Sequence, residues 1–493
     1  MPPLIRIDRA GLPMPQRYLI VAVTAVAAFW MYIDRVCFST LAAPMERELL
    51  LPLAPEPTDA DTLSNDDIAA AKKKKFGPNP PAGAELSPED VVAAKKKKWA
   101  DKRLADILGA FFLTYALFQI PMGSLADRYG ARAVLTVSIA AWSVVTMLTG
   151  FVGGAVALVG IRLLLGVTES GAYPAAAGLV KRWARPEERG RFSSVVAFGG
   201  RIGGVVAPWL TAVLAAALAG VALVEWAITP SPAALDANEA PVNWRGVFVV
   251  YGLCGVVVAL LFWLIVRDNP PGAPAPAREG GNDPAKLSLV TRFAALARSR
   301  NMWLFGAMQF GMNLGWAFLV TLLPKYLEKV HDTPLDQAGR MQTVALGIGC
   351  LGMIFGGVFT DFTRRWLGPK AGRAVPIGAA LSGCAVAFLL IPHLPDAWTV
   401  VIALGVMAFL VDMHNPTIWS FAQDVGGKNV GAALGWGNMW GNLGAAFSAR
   451  VLVELQHATS WNTAFTCLAG AFAASAVCGF LLDATKPVEE PAA

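Results

Sequence analysis

The chain alternates long apolar runs with polar segments, and the runs are too uniform to be the one-sided stripes of soluble helices. Twelve can be counted, at about 18–42, 104–125, 133–150, 154–176, 193–219, 246–266, 302–323, 342–360, 374–392, 398–420, 430–453 and 461–482. About 20 apolar residues cross a bilayer as a helix. The pattern therefore predicts an all-α polytopic membrane protein with twelve transmembrane helices. The first run is too long for a signal-peptide core and reads as a retained helix. Two polar segments are long. One, 46–103, lies between the first and second spans. The other, 267–301, divides the spans six and six, and its Pro270, Pro271, Gly272, Pro274 and Pro276 mark a flexible linker. The organisation expected is a six-helix bundle over 1–266 with an insertion at 46–103, a linker over 267–301, and a second bundle over 302–493.

The two halves echo each other. Gly190, Gly200 and Gly203 recur as Gly431, Gly441 and Gly444, each 241 residues later. The run from Gly123 to Asp127 after the second span corresponds to that from Gly357 to Asp361 after the eighth. Two pseudo-symmetric bundles with a site between them near the midplane are an architecture of secondary transporters.

Charge sets the orientation. Arg128, Arg132, Lys181, Arg182, Arg185, Arg189, Arg191, Arg364, Arg365, Lys370 and Arg373 all fall in segments on the side of the N-terminus. By the positive-inside rule both termini are expected in the cytoplasm, the protein lying in the plasma (inner) membrane. The insertion lies outside yet holds eleven Lys and Arg, which the rule tolerates in long loops. In it Asp67 to Phe76, with lysines at 72–75, recurs as Asp90 to Trp99, with lysines at 95–98. A solvated, partly disordered insertion is the expectation, in preference to a basic collar for anions or lipid headgroups.

Composition agrees. Of 493 residues 55% are hydrophobic and only 15% charged, too few to surface several soluble domains. The net charge of +6 is spread over short loops without an aromatic-interleaved basic face, so no nucleic-acid partner is expected. The six cysteines lie in or beside apolar runs without a C-x-x-C pair and read as free thiols. No phosphate-binding loop, zinc motif or serine-nucleophile elbow occurs, so neither a cofactor, a metal nor an enzymatic activity is expected.

Ionisable residues inside spans are costly and point to function. At ~1.5 Å per residue, Asp34 and Arg35 lie roughly 25 Å along the first span, level with Arg162 in the fourth. Glu169 follows Arg162 by two turns on the same face, near the midplane. Tyr32 shares a face with Arg35, and Tyr115 reaches similar depth. An Asp34–Arg162 pair would leave Arg35 without a partner and free to hold a carboxylate. A midplane carboxyl such as Glu169 can take and release a proton. The ordinary alternative is that Asp34 and Arg35 snorkel to the interface while Glu169 makes a structural bond. Arg201 reaches the depth of Glu169 and would either pair with it or form a second anion contact. In the second half Gln309, Asn313 and Trp316 share one face of the seventh span. Asp412 and His414 lie in the tenth, and Asn438 and Asn442 in the eleventh, Asn442 in register with Arg201. Amides here can also serve as interhelical glue, and glycine pairs such as 199/203 and 437/441 as close-packing sites.

These residues resemble the major facilitator superfamily, and within it the anion:cation symporters. The run Gly123-Ser-Leu-Ala-Asp127-Arg128-Tyr-Gly130-Ala-Arg132 is similar to the superfamily's signature between helices two and three. Tyr32-Ile-Asp34-Arg35, Tyr115 to Pro121, Arg162 to Pro174, Leu323 to Leu327 and Gly441 to Gly444 are similar to the symporters' segments. The insertion, Arg201, and Asp412 with His414 depart from the pattern. The resemblance implies the major facilitator fold and proton-coupled symport of an organic anion, such as a hexuronate, an aldonate or another monocarboxylate. It implies substrate contact by Arg35, Tyr32, Tyr115 and Asn442; Arg201, Gln309 and Asn313 are further candidates from their placement in the spans alone. It implies proton coupling through Asp34, Glu169 and Arg162, and gating by Gly123, Asp127, Arg128, Gly130 and Arg132. The expected partners are a small organic anion, protons and membrane lipid, the protein acting as a monomer. Anion exchange without net proton flux, and a non-transporting sensor, are the alternatives.

Overall fold

The computed structural model describes residues 14–58, 61–63, 65–77, 81, 83–219, 242–271, 288–458 and 461–488. The first half contains α1 (Met14–Thr40), α2 (Ala42–Leu49), α3 (Asn65–Phe76), α4 (Pro88–Tyr129), α5 (Ala131–Thr149), α6 (Ala155–Glu169), α7 (Ala172–Trp183), α8 (Arg189–Ala217) and α9 (Trp244–Ile265). The second contains α10 (Leu289–Arg298), α11 (Arg300–Ala317), α12 (Leu323–His331), α13 (Leu335–Leu390), α14 (Ala397–Val425), α15 (Val430–Ala458) and α16 (Trp461–Phe480). Together they supply the twelve spans. The fourth is α6 followed by α7, the seventh is α11 with the turn after it, and α13 holds both the eighth and the ninth.

Local chemistry explains the breaks. Gly368 sits inside α13 at φ 77, a conformation open to glycine, and Pro369 then starts the next helix. The seventh span ends in a π-helical turn at Phe318–Leu322, just before Pro324. Proline has no N–H to offer the carbonyl four residues back, here Val320. The Gln342 amide donates to the carbonyls of Leu319 and Val320 at 2.7 and 2.8 Å, satisfying groups that a regular helix would have bonded itself.

α4 is longer than any bilayer requires. Ser87 caps it through a box with Asp90, and it runs 42 residues to Gly130, where φ is 93. At ~1.5 Å per residue this is roughly twice the hydrocarbon thickness, so its first turns project from the membrane and carry the insertion. Where disorder is expected, the described residues are largely helical and stitched by charge. Lys96 pairs with Glu56 at 2.5 Å, Lys97 with Glu46 at 2.6 Å, Lys98 with Asp67 at 2.8 Å, and Lys75 with Asp90. Glu48 accepts from Arg245 at 2.6 Å and from the Trp244 indole at 2.7 Å, tying α2 to α9. Lys73 reaches Glu328 of the second half at 3.6 Å.

Large apolar residues remain on the outer surface, as a lipid-facing wall requires. Val137 is 67% exposed, Val156 87% and Trp209 68%. The halves meet along two seams, α4 against α15 and α8 against α13. Between the seams they leave a cavity.

Candidate functional site

The cavity has a volume of about 190 Å³ and is lined from both halves, by Tyr32, Arg35, Tyr115 and Arg201 on one side and Gln309, Asn313, Asp412, Asn438 and Asn442 on the other. Its two cations are held differently. The Arg35 Nε and Nη2 both donate to Glu169 Oε2, at 3.1 and 2.7 Å, within the first half. Its guanidinium also lies over the rings of Tyr32, Phe111 and Tyr115, 5.1, 5.0 and 4.5 Å from their centroids. Flat delocalised charge stacks on such faces without losing its edge donors. The other Glu169 oxygen, Oε1, is buried and has no hydrogen-bond partner. Arg201 instead pairs across the cavity with Asp412 of α14, and its guanidinium sits 4.5 Å from the centre of the Trp316 ring of α11.

Two expectations are therefore corrected. Asp34 and Arg162 do not pair. Both Asp34 oxygens are buried without a hydrogen-bond partner among the described residues, and the Arg162 guanidinium stacks 3.4 Å from the centre of the Phe38 ring. Nor is Arg35 without a partner, because it has the Glu169 that Arg201 was a candidate to hold. The reason is azimuth. Rise per residue gives depth, but Asp34 and Arg35 are adjacent on a helix and point about 100° apart. Only Arg35, on the Tyr32 face, reaches the cavity. Asn313 and Asn442 line it while donating to the carbonyls one turn back, of Gln309 and Asn438, both at 2.8 Å. His414 is buried outside the lining, its Nδ1 2.9 Å from the Leu410 carbonyl. Tyr173 and Trp419 were not anticipated, although they line the cavity and meet edge to face at 5.2 Å. Helical spacing could have found Tyr173, which is four residues beyond Glu169.

The membrane face that carries the start of α1 is sealed by the residues the signature motif singled out. The Asp127 oxygens accept from the backbone N–H of Gly431 and Ala432, at 2.9 and 3.0 Å. The Asp361 oxygens accept from Gly190 and Arg191 N–H, at 2.9 and 3.2 Å. Each carboxylate thus caps the second and third residues of a helix in the opposite half, where unpaired N–H groups and the helix dipole favour an anion. The 241-residue repeat is the sequence trace of this reciprocal arrangement. Gly123 and Gly431 let the backbones touch, since a Cβ on Gly431 would lie 2.6 Å from the Gly123 carbonyl oxygen. Gly130, Arg128 and Arg132 make their contacts within the first half and the start of the linker. The Arg132 backbone N–H donates to Asp268 at 3.0 Å and its side chain to the Trp263 carbonyl at 2.7 Å, while Arg128 stacks on Tyr129. Further pairs across the same face are Arg189–Asp424 at 2.5 Å and Arg364–Glu187 at 3.0 Å.

A sequence profile described as the Major Facilitator Superfamily matches residues 36–449. A probable sulfoacetate transporter of Cupriavidus necator is 29% identical over 346 residues, 68% of this chain and 74% of that protein. A probable L-galactonate transporter of Escherichia coli is 25% identical over 341 residues, 67% of this chain and 69% of its own length. In three dimensions the fucose:proton symporter of Escherichia coli superposes with a TM-score of 0.62 at 14% identity, over 94% of this chain and 98% of that one.

Proposed function

The chain belongs to the Major Facilitator Superfamily, a family of transporters rather than enzymes, and from that premise we propose that it imports an organic anion together with protons by alternating access. The membrane is then the inner (plasma) membrane with both termini in the cytoplasm, as the Lys and Arg distribution favours. The relatives named for sulfoacetate and galactonate support a small acid as cargo.

The observation that carries the reading is the Arg35–Glu169 pair in the cavity wall. Proton and anion act on that pair in the same direction. A proton on Glu169 removes the countercharge of Arg35, and a carboxylate arriving at Arg35 removes the countercharge of Glu169. Each ligand raises the affinity of the other, which is the reciprocal free-energy coupling that symport needs. Asp34, buried without a hydrogen-bond partner among the described residues, passes the proton on to Glu169 in this reading without retaining it, and Arg162 supplies fixed positive charge on the Glu169 side. With both ligands bound the buried charges cancel, and the halves can rock at lower cost than with either ligand alone. Asp127 and Asp361 then release the helix ends they cap, and the face they seal opens.

The test is uptake into proteoliposomes of labelled galactonate, glucarate, glucuronate, sulfoacetate and an aromatic acid, with and without an inward proton gradient. Gradient-driven accumulation of one acid supports symport. Flux only against preloaded anion would mean exchange, the alternative favoured by the second cavity cation, Arg201. Binding without flux would refute transport altogether.

A further inference from the structure

The symport reading uses one of the cavity's two buried ion pairs and leaves the other without a role. Arg201 of α8 and Asp412 of α14 face each other across the two halves. Both line the cavity, and the Arg201 side chain is 24% exposed against 1% for Asp412, so the cation is the more accessible partner. Around Arg201 lie Trp316 of α11 at 4.5 Å and the ring of Tyr32, which packs against Gly200 and Gly204 and also lies 5.1 Å from Arg35. The Tyr32 phenol therefore stands between the two guanidinium sites. Elsewhere around Asp412 the titratable groups are few. Cys350 approaches from α13, Tyr173 stands on α7, and α15 presents the neutral amides Asn438 and Asn442.

We propose, building on the symport reading, that the preferred cargo is a dianion with an acidic group at each end, and that Arg201 and Asp412 are its second binding and second proton site. The argument is one of charge balance. In the empty cavity Arg35 and Glu169 cancel, and so do Arg201 and Asp412. A monoanion at Arg35 displaces one carboxylate. A dianion spanning Arg35 and Arg201 displaces both, and a displaced carboxylate left charged and buried costs several kcal/mol. Each displaced group therefore takes a proton, Glu169 one and Asp412 the other. A substrate charge of two minus then travels with two protons, electroneutrally. On the cytoplasmic side each carboxyl loses its proton as it re-pairs with its arginine and the dianion leaves. The pair also spans the halves, so the second acidic group of the cargo replaces a tie between them.

A matched pair of probes tests this. Glucarate and gluconate share a six-carbon chain and differ in one terminus, carboxylate or hydroxymethyl. In proteoliposomes under a proton gradient the wild type should take up glucarate at least tenfold better in competition, the value of one charge-assisted arginine contact at about 1.4 kcal/mol per tenfold. Arg201→Gln should bring the ratio to within about threefold by lowering glucarate uptake more than gluconate uptake. R201Q/D412N, which buries no unpaired charge, should do the same if Arg201→Gln does not fold. Asp412→Asn should make glucarate uptake sensitive to voltage, slowed by an inside-negative potential, where the wild type is indifferent to it. A wild type that accumulates gluconate as well as glucarate would overturn the proposal and leave symport standing. So would an unchanged ratio in the Arg201 variants, an equal loss of both acids in them, or a voltage-insensitive Asp412→Asn. Accumulation of neither these acids nor any other of the panel would instead sink the symport reading.

Discussion

Asp127→Ala tests whether the sealed face opens as one unit. The carboxylate accepts two backbone N–H bonds, at 2.9 and 3.0 Å, from the first turn of a helix in the other half. A hydrogen bond to a charged group contributes about 1.5–3 kcal/mol net. The freed N–H groups can meet water, so the lower end applies, and two bonds give about 3 kcal/mol. At about 1.4 kcal/mol per tenfold, the opening equilibrium should rise by on the order of 100-fold. The informative readout lies away from the mutation. The Gly190 and Arg191 amides, held by Asp361, touch nothing that Asp127 touches. If the halves part as rigid bodies, hydrogen exchange at residues 189–192 should accelerate by the same factor as at 430–433. Acceleration confined to 430–433 would refute the concerted gate and reduce Asp127 to a local cap.

Gly431→Ala should open the same face by a different route, its Cβ pressing on the Gly123 carbonyl 2.6 Å away, and exchange at 189–192 would again report it. Glu169→Gln should preserve anion exchange and abolish gradient-driven accumulation, since the amide keeps the shape but carries no proton; counterflow against gradient-driven uptake separates the two. Arg35→Ala should weaken carboxylate binding by about 100-fold or more, measured by isothermal calorimetry on the purified protein, and Arg35→Lys should rescue little because an ammonium lacks the planar fork. Arg245→Ala should leave Glu48 with the Trp244 indole but no countercharge from Arg245, and take their Arg245 donor from the carbonyls of Gly150 and Val152, at a cost of about 3 kcal/mol, lowering the unfolding temperature in detergent by several degrees.

Much of the molecule was legible along the chain because a bilayer leaves few options. Apolar runs of about 20 residues can only be spans, so all twelve could be counted, and the breaks in them follow from Gly368 and Pro324. The cavity's membership was legible too, because charge and amide groups in hydrocarbon must face the interior. Arg35, Tyr32, Tyr115, Arg201, Gln309, Asn313, Asp412 and Asn442 all line it. The insertion was read less well. Its lysine runs suggest solvation, and only the fold brings Glu46, Glu56 and Asp67 within reach of them.

What the sequence could not contain was which charge meets which. Depth along a helix is linear in residue number, but partnership depends on azimuth and on the placing of neighbouring helices. The geometry gave Glu169 to Arg35, left Asp34 alone, and set Asp412 against Arg201 from a helix 211 residues away. The same is true of the gate. The repeat in sequence announced that Asp127 and Asp361 are equivalent, yet that each caps a helix of the opposite half follows only from bringing the two bundles face to face. Elements and burial are set by the local exchange of water for lipid, and so can be read residue by residue. Pairing is a property of the assembled whole.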